Sequence, residues 1–510
     1  MSSDNNRDAS KIFYILFILN LFSKLLLLNW NEAEYTDSVF YVTSESIGRS
    51  KWLPVYPILV QVAHRFVSDL TLSGKLTAVI MSSLCVLPLY AIAKRTFNTR
   101  TAQYTVMLYI VAPVVLRWSI RAMSESSFLF FLLISLWCLI KWEDGSKGFY
   151  GLGFIGFSGI TALARPEGLA LLPLALLFAL RVVRQTGLRS APLLACGFLS
   201  WCLLFLWHTK IVGKFIYGHD FIHGAMSIAF KDYISHFILY AVYIPYLLTP
   251  LVFLSSAYGA VKSYMVGKKE HLKKVYILFF LYLLITWLLI LPLYWPFWTT
   301  RFMFSIVVLS LVLSGYGLSL FKKKISRRVL LGACLATSII FTTIVLFCSK
   351  ETYGDIRAAS MFVRNSVPHN AEIVSSELVK TQFWIGRSLV QYSHSVLKPG
   401  QYVLLQNMYS CDIEKEMKFL RKNFVIDVLY QKFAVVIPIL ADDIFINAER
   451  RSDGRTALRG RSNRAIDLKT QFGKSRFASI VIHIRGKKQA HSGNSDMPAT
   501  LLFTERSHKS

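Results

Sequence analysis

Long apolar runs separated by short polar turns fill most of the chain up to residue 348. They lie near residues 12–29, 74–93, 103–116, 127–140, 149–163, 169–181, 191–207, 237–264, 275–293, 303–320 and 329–348. A membrane crossing takes about 20 predominantly apolar residues. The shorter runs, from 103–116 to 169–181, come in adjacent pairs joined by tight turns. The pattern predicts an α-helical polytopic membrane protein of about eleven transmembrane helices. After residue 350 the periodicity changes. Residues 355–366 and 412–422 read as helices, and 373–375, 402–405 and 433–440 as strands, giving a small α/β soluble domain on the non-cytoplasmic side. From Arg450 the chain is basic and rich in Ser and Gly, which predicts a disordered tail. The expected units are therefore 1–350, a transmembrane domain; 351–448, a soluble α/β domain; and 449–510, a tail.

Composition sharpens this picture. Hydrophobic residues make up 54% of the 510 and charged residues 17%, a balance that excludes an ordinary soluble domain. The net charge of +28 does not signal nucleic acid, because Lys and Arg fall between apolar runs and in the tail, with no basic stripe bearing interleaved aromatics. It signals topology. With the N-terminus cytoplasmic, the basic loops at 94–100, 141–147, 181–189, 268–274 and 322–328 all share one side, as the positive-inside bias requires. The N-terminal apolar run has no small-residue cleavage pattern and reads as a retained span. The cysteines form no metal or disulfide framework. No Asn-x-Ser/Thr sequon occurs on the outer segments, which leans toward a bacterial inner membrane or plasma membrane location.

Candidate chemistry gathers on the opposite, outer face. Glu32, Glu34 and Asp37 follow the first span within six residues. The same face receives Arg121 and Glu125, Arg165 and Glu167, His208 and Lys210, and Arg301. Singly, each has a plain reading: a solvated acidic loop, arginines snorkelling to headgroups, structural ion pairs, a solvated histidine. Together, cations beside carboxylates at membrane depth form a site for an anion and suit an enzyme with a lipid phosphate as leaving group, the cations offsetting phosphate charge while a carboxylate activates the nucleophile. An arginine near Glu125 and another near Glu167 would hold these acids ionised, to orient arginines or bind sugar hydroxyls. Tyr56 and the aromatics Tyr294, Trp295, Phe297 and Trp298 are placed either to stack on sugar or prenyl chain or to form an interfacial belt. Lys24 either snorkels or reaches the phosphate.

The succession of the acidic loop, then Leu53-Pro54-Val55-Tyr56-Pro57-Ile58-Leu59, Met123-Ser124-Glu125-Ser126-Ser127-Phe128-Leu129, Ala164-Arg165-Pro166-Glu167-Gly168-Leu169 and Thr300-Arg301-Phe302 resembles the multi-span glycosyltransferases of the GT-C fold. Within them it is similar to the branch of protein O-mannosyltransferases and the lipid A aminoarabinose transferase. The resemblance covers roughly residues 10–350 and, more loosely, the domain after them. It implies transfer of a sugar, a mannose-like hexose or a pentose, from a polyprenyl-phosphate carrier to a lipid, glycan or protein acceptor, with inversion. The family's catalytic carboxylate lies in an Asp-x-x-x-Tyr pattern, which Asp37 to Tyr41 fits. Asn31 to Tyr35 has the same spacing with Asn in place of Asp, leaving Glu32 as the nearest acid. Asp37 is thus the expected general base and Glu32 its competitor. Glu34, Tyr41, Tyr56, Arg121, Glu125, Arg165, Glu167, Arg301 and Lys24 are the expected substrate-binding set. No metal ligand is assigned, and a divalent metal is left open. Two other classes stay open: a transporter or flippase of lipid-linked sugars, which would carry internal repeats and polar groups through the membrane depth, and a polymerase or ligase using diphosphate-linked donors.

Overall fold

The computed structural model describes residues 3–31, 36–43, 53–145, 149–186, 198, 199, 202, 206, 230–265, 271–294, 300–349, 354–406, 413–435, 448–450, 456–458 and 476–487. In chain order the helices of the apolar region are α1 (Ser3–Leu26), α2 (Thr36–Val42), α3 (Val55–His64), α4 (Leu70–Leu84), α5 (Val86–Thr96), α6 (Thr99–Val111), α7 (Pro113–Ser119), α8 (Glu125–Glu143), α9 (Phe149–Ala164), α10 (Leu171–Thr186), α11 (Phe230–Leu248), α12 (Pro250–Tyr264), α13 (His271–Tyr294), α14 (Phe304–Ser319) and α15 (Lys324–Ser349). Short 3-10 turns at Pro166–Ala170 and Thr300–Met303 lead into α10 and α14.

Among the described residues five helical stretches are long and apolar enough to cross a membrane: Leu70–Thr96, Glu125–Glu143, His271–Leu289, Arg301–Ser319 and Lys324–Phe347. A sixth is counted if α11 and α12 form one broken span, since Tyr240–Leu248 and Pro250–Tyr264 meet at 106°. This corrects the expectation of one continuous segment over 237–264. Pro250 has no N–H to continue the helix, and Thr249 takes a positive φ of 66°, so the backbone turns there. Most of the expected run 191–207 lies outside the described residues.

The bundle is organised around α14, which is buried from Phe304 to Leu318. Small residues make this burial achievable. A Cβ on Gly317 would meet Ser255 O at 2.1 Å, and one on Gly259 would meet Leu313 O at 2.1 Å, so α12 and α14 touch backbone to backbone. Serines complete the seam, Ser256 Oγ donating to Ser310 O at 3.1 Å and Ser314 Oγ to Val252 O at 3.0 Å. In a bilayer, where lipid is as apolar as the helix, close backbone approach and interhelical hydrogen bonds drive association.

Beyond the bundle follow α16 (Gly354–Ser366), β1 (Ile373–Ser375), α17 (Leu378–Ile385), β2 (Val390–Gln391), β3 (Tyr402–Gln406), α18 (Ile413–Asn423), β4 (Phe424–Val435), β5 (Ala448–Arg450), β6 (Thr456–Leu458) and β7 (Arg476–Lys487). Five strands form one sheet in the order β2-β1-β3-β7-β4, with β1 parallel to β2 and β3, and β7 antiparallel to both β3 and β4. Alternation divides the sheet's faces: Val403, Leu405, Ile480, Ile482 and Ile484 pack with Met417 and Leu420 of α18, whereas Leu404 and Val481 join Ile356, Ala359 and Val363 of α16. Two expectations are corrected here. The stretch 449–510, read as a disordered tail, supplies β7, a twelve-residue strand inside the sheet. The strand expected at 433–440 begins earlier, as β4 at Phe424, and 436–440 lie outside the described residues.

Candidate active site at one end of the bundle

α8 begins at the site, and its first turn is the hub. Arg165 Nη1 lies 2.6 Å from Glu125 Oε1, and its Nη2 lies 2.7 Å from Glu167 Oε1. Arg165 Nε also donates to both Glu167 oxygens at 3.2 Å, so one guanidinium holds two carboxylates. Arg301 Nε approaches Glu125 Oε1 at 3.9 Å. All four charges are largely withdrawn from water, Glu125 at 1% exposure and Arg301, the most open of them, at 14%. Charges at such depth persist only when paired and hydrogen-bonded.

The turn carrying Arg165 and Glu167 is held by packing. A Cβ on Gly168 would lie 2.5 Å from Ala162 N, so glycine lets the 3-10 turn fold back on the end of α9. Tyr282 Oη of α13 donates to Ala170 O at 2.7 Å, and Trp287 Nε1 donates to Phe302 O at 3.0 Å, anchoring the turns before α10 and α14. Phe302 lies between two cations, 5.5 Å from Arg165 Cζ and 5.2 Å from Arg301 Cζ.

The helix that carries the expected base is seated beside this hub. In α2, Ser38 Oγ donates to Met123 Sδ at 3.2 Å and Tyr41 Oη shares a hydrogen bond with Ser124 Oγ at 3.1 Å. Ser124 Oγ in turn accepts from Arg165 Nη1 at 3.3 Å. Val42 rests where a Cβ on Gly74 would be, 2.7 Å from that position. Tyr56 supports α2 from below, its ring 5.2 Å from that of Tyr41 and its hydroxyl donating to Gly74 O at 2.7 Å. Asp37 lies in α2, next to Ser38; Glu32 and Glu34 lie outside the described residues, as do His208, Lys210, Trp295, Phe297 and Trp298.

The structure thus brings together Tyr41, Glu125, Arg165, Glu167 and Arg301. Arg121 belongs to a neighbouring group: its Nη2 donates to Asn31 Oδ1 at 3.0 Å, and its guanidinium, like that of Arg117 one turn earlier, stacks near Trp118. Glu125 meets Arg165, forty residues on, and Arg301, rather than depending on the arginine four residues before it. Lys24 does not snorkel. It is fully buried, donating to Ser82 Oγ at 2.7 Å beneath the ring of Tyr109. The sequence reading gave no site role to Ser124, Asn31 or Arg117; the placement of Arg117 and Arg121 on either side of Trp118 is the signal that could have found the last. Among the described residues no group of three or more metal-ligating side chains comes together.

Residues 52–208 match the family described as dolichyl-phosphate-mannose-protein mannosyltransferase. No curated protein matches the chain by sequence. The fold is similar to that of ArnT from Cupriavidus metallidurans, solved bound to undecaprenyl phosphate, with a TM-score of 0.57 and 11% identity over 82% of this chain and 96% of that one. ArnT in its apo state gives 0.56 and 12%, over 84% and 97%. The oligosaccharyltransferase of Archaeoglobus fulgidus, in complex with zinc and sulfate, gives 0.52 and 14%, over 78% and 68%. With five to six membrane-length apolar helices among the described residues, the chain is a multi-pass membrane protein with the fold of the GT-C glycosyltransferases, and its residues 52–208 match the protein mannosyltransferase family.

Proposed function

We propose that this protein is a membrane glycosyltransferase that moves a sugar from a polyprenyl-phosphate carrier to an acceptor on the outer face of the membrane, inverting the anomeric centre. The observation that carries the reading is the joining of α2, the start of α8, the turn at 165–168 and the turn at 300–303 into one buried network at one end of the bundle. Segments far apart in sequence are charged and held rigid at one place, as preorganised transition-state stabilisation requires. In this reading Asp37 removes the proton of the acceptor hydroxyl as that oxygen attacks the anomeric carbon, and Glu32 is the competing base. A phosphate leaves without protonation, so cations replace the second acid that glycoside hydrolases keep. Arg301, held loosely by Glu125, and Arg121 bind the donor phosphate; Arg165, gripped by Glu125 and Glu167, fixes the geometry of the wall and presents Tyr41.

The same reading completes the topology as about eleven spans, with the N-terminus cytoplasmic and the α/β unit after residue 350 extracytoplasmic, in an inner or plasma membrane. The arrangement of charges supports it. Arg95 with Asp144, and Glu143 with Arg181 and His271, meet at the opposite end of α8 from Glu125, which separates the loops assigned to the cytoplasm from those assigned outside. The sugar is a mannose-like hexose or a pentose.

The test is transfer of radiolabelled sugar from polyprenyl-phosphate donors to membrane extract by purified protein. Asp37→Asn is expected to lower turnover by about 100- to 10,000-fold with donor binding retained. Loss in Glu32→Gln alone would move the base to Glu32. A native protein that transfers nothing yet moves lipid-linked sugar across vesicles would replace the enzyme with a transporter.

A further inference from the structure

α1 packs against α4 and α6 and leaves Ile15, Ile18, Phe22 and Leu26 exposed on its outer side. Its buried stripe runs through Leu16, Asn20 and Lys24, at successive turns of the helix. Between helices in lipid, apolar contact gives little preference for one axial position over another, and polar pairing supplies it. A lysine buried at bilayer depth is costly, so its retention calls for a role. Here it is shut off from water, with a hydroxyl and a ring as neighbours. Lys24 Nζ donates to Ser82 Oγ at 2.7 Å and lies 4.7 Å from the centre of the Tyr109 ring.

The acceptor is itself oriented. Tyr109 Oη donates to Ser82 O at 2.8 Å, which commits its one hydrogen. In the 2.9 Å contact between the two hydroxyls Ser82 Oγ is then the donor, and a lone pair of that oxygen is left for Lys24. Buried polar groups of this kind are best attested as devices that fix helix register.

The far end of the same segment is also held. Beyond Leu26 the backbone turns through Leu28 N donating to Leu25 O at 3.2 Å and Trp30 N to Leu27 O at 2.9 Å. Trp30 Nε1 donates to Leu346 O at 2.9 Å, and Asn31, buried, accepts at Oδ1 from Arg121 Nη2 at 3.0 Å. One helix end and one hydrogen-bonded turn join Lys24 to Asn31, so a slide of α1 along its axis moves Asn31 with it. From Gly74, where Val42 of α2 rests, to Ser82 is about 12 Å along α4. At that remove Lys24 acts on the site through α1.

We propose that Lys24 is a positioning residue, a register pin inside the membrane that fixes α1 against α4 and α6 and so seats Asn31 against Arg121. Its effect on turnover rests on the proposed glycosyl transfer; the register does not, and the two are read separately.

The register is tested by a double-mutant cycle on thermal unfolding of the full-length protein in detergent, placing Asn31→Ala in the native background and in Lys24→Met. In the native background Asn31→Ala is expected to lower Tm by about 2 °C or more. In Lys24→Met, where Asn31 is no longer seated, the fall is expected to be less than half as large. Equal falls in both backgrounds, or no fall in either, would overturn the proposal. Should Lys24→Met fail to fold, Tyr109→Phe takes its place in the cycle, keeping the ring over Lys24 and removing the hydroxyl that orients Ser82; equal falls there overturn the proposal too. In the transfer assay Lys24→Met is expected to lower kcat by about 10- to 100-fold at unchanged donor KM. A raised donor KM at unchanged kcat would put Lys24 on the donor phosphate and overturn the positioning role. If the native protein transfers no sugar, the proposed function falls while the cycle still decides the role of Lys24.

Discussion

The two ends of α8 solve the same problem in different ways. At the start, Glu125 faces Arg165 and Arg301, all three drawn into the protein. At the end, Glu143 faces Arg181 and His271, whose side chains are 50% and 54% exposed. Both carboxylates are themselves well covered, and each meets two cationic or basic partners. The difference lies in what water can do. At the exposed end solvent screens the partners and replaces either one, so the contacts act as a modest tie between helices. At the buried end no such replacement is available, and each member holds the others in place. A costly arrangement of this kind, beside α2 and under Tyr41, is where function is expected, while the exposed clasp is architecture.

Substitutions can break this contrast or sharpen it. The largest effect is expected for Arg165→Met, which leaves Glu125 and Glu167 buried without their shared cation and should cost about 3 to 5 kcal/mol in thermal or denaturant unfolding. A cost below about 1 kcal/mol would make the two ends equivalent. Next, Gly168→Ala drives a Cβ against the backbone at Ala162 and should cost about 1 to 3 kcal/mol, with sugar transfer falling further than stability explains because the turn carries both Arg165 and Glu167. Tyr41→Phe removes the hydrogen bond to Ser124 while keeping the ring against Tyr56. About 1 kcal/mol is expected by the same unfolding measurement. The smallest change is expected for Arg181→Ala at the far end, within about 1 kcal/mol and diminished further by salt.

Much of this was legible in the chain. Apolar runs located most helices, and strands 373–375 and 402–405 agree with β1 and β3 to within a residue. What the pattern could not carry was geometry. The run 237–264 is apolar on both sides of Thr249, so hydropathy passes over a right-angled break that depends on one dihedral and one missing N–H. β7 escaped because its alternating Ile480, Ile482 and Ile484 sit inside a basic, polar stretch whose composition resembles disorder; pairing with β3 and β4, remote in sequence, is what orders it. The candidate site divides similarly. Arg165 and Glu167 are two apart and could be paired by eye, whereas the partner of Glu125 lies forty residues away and not at Arg121, a choice made by the packing of α8 and α9. Of the two readings of Lys24 only snorkelling is set aside, for a related reason: a lysine near a helix end snorkels by default, but here the hydroxyls of Ser82 and Tyr109 offer it an interior environment.

The position of β7 also sets a timetable. It is the last of the sheet's strands in sequence, yet it lies between β3 and β4 and pairs with both. During synthesis every helix of the bundle emerges before it, and the edges of β3 and β4 that it will join must wait unpaired. Such a long-range closure is slow compared with helix packing. The bundle can therefore assemble in the membrane well before the sheet closes, and exposed strand edges in that interval are open to wrong partners.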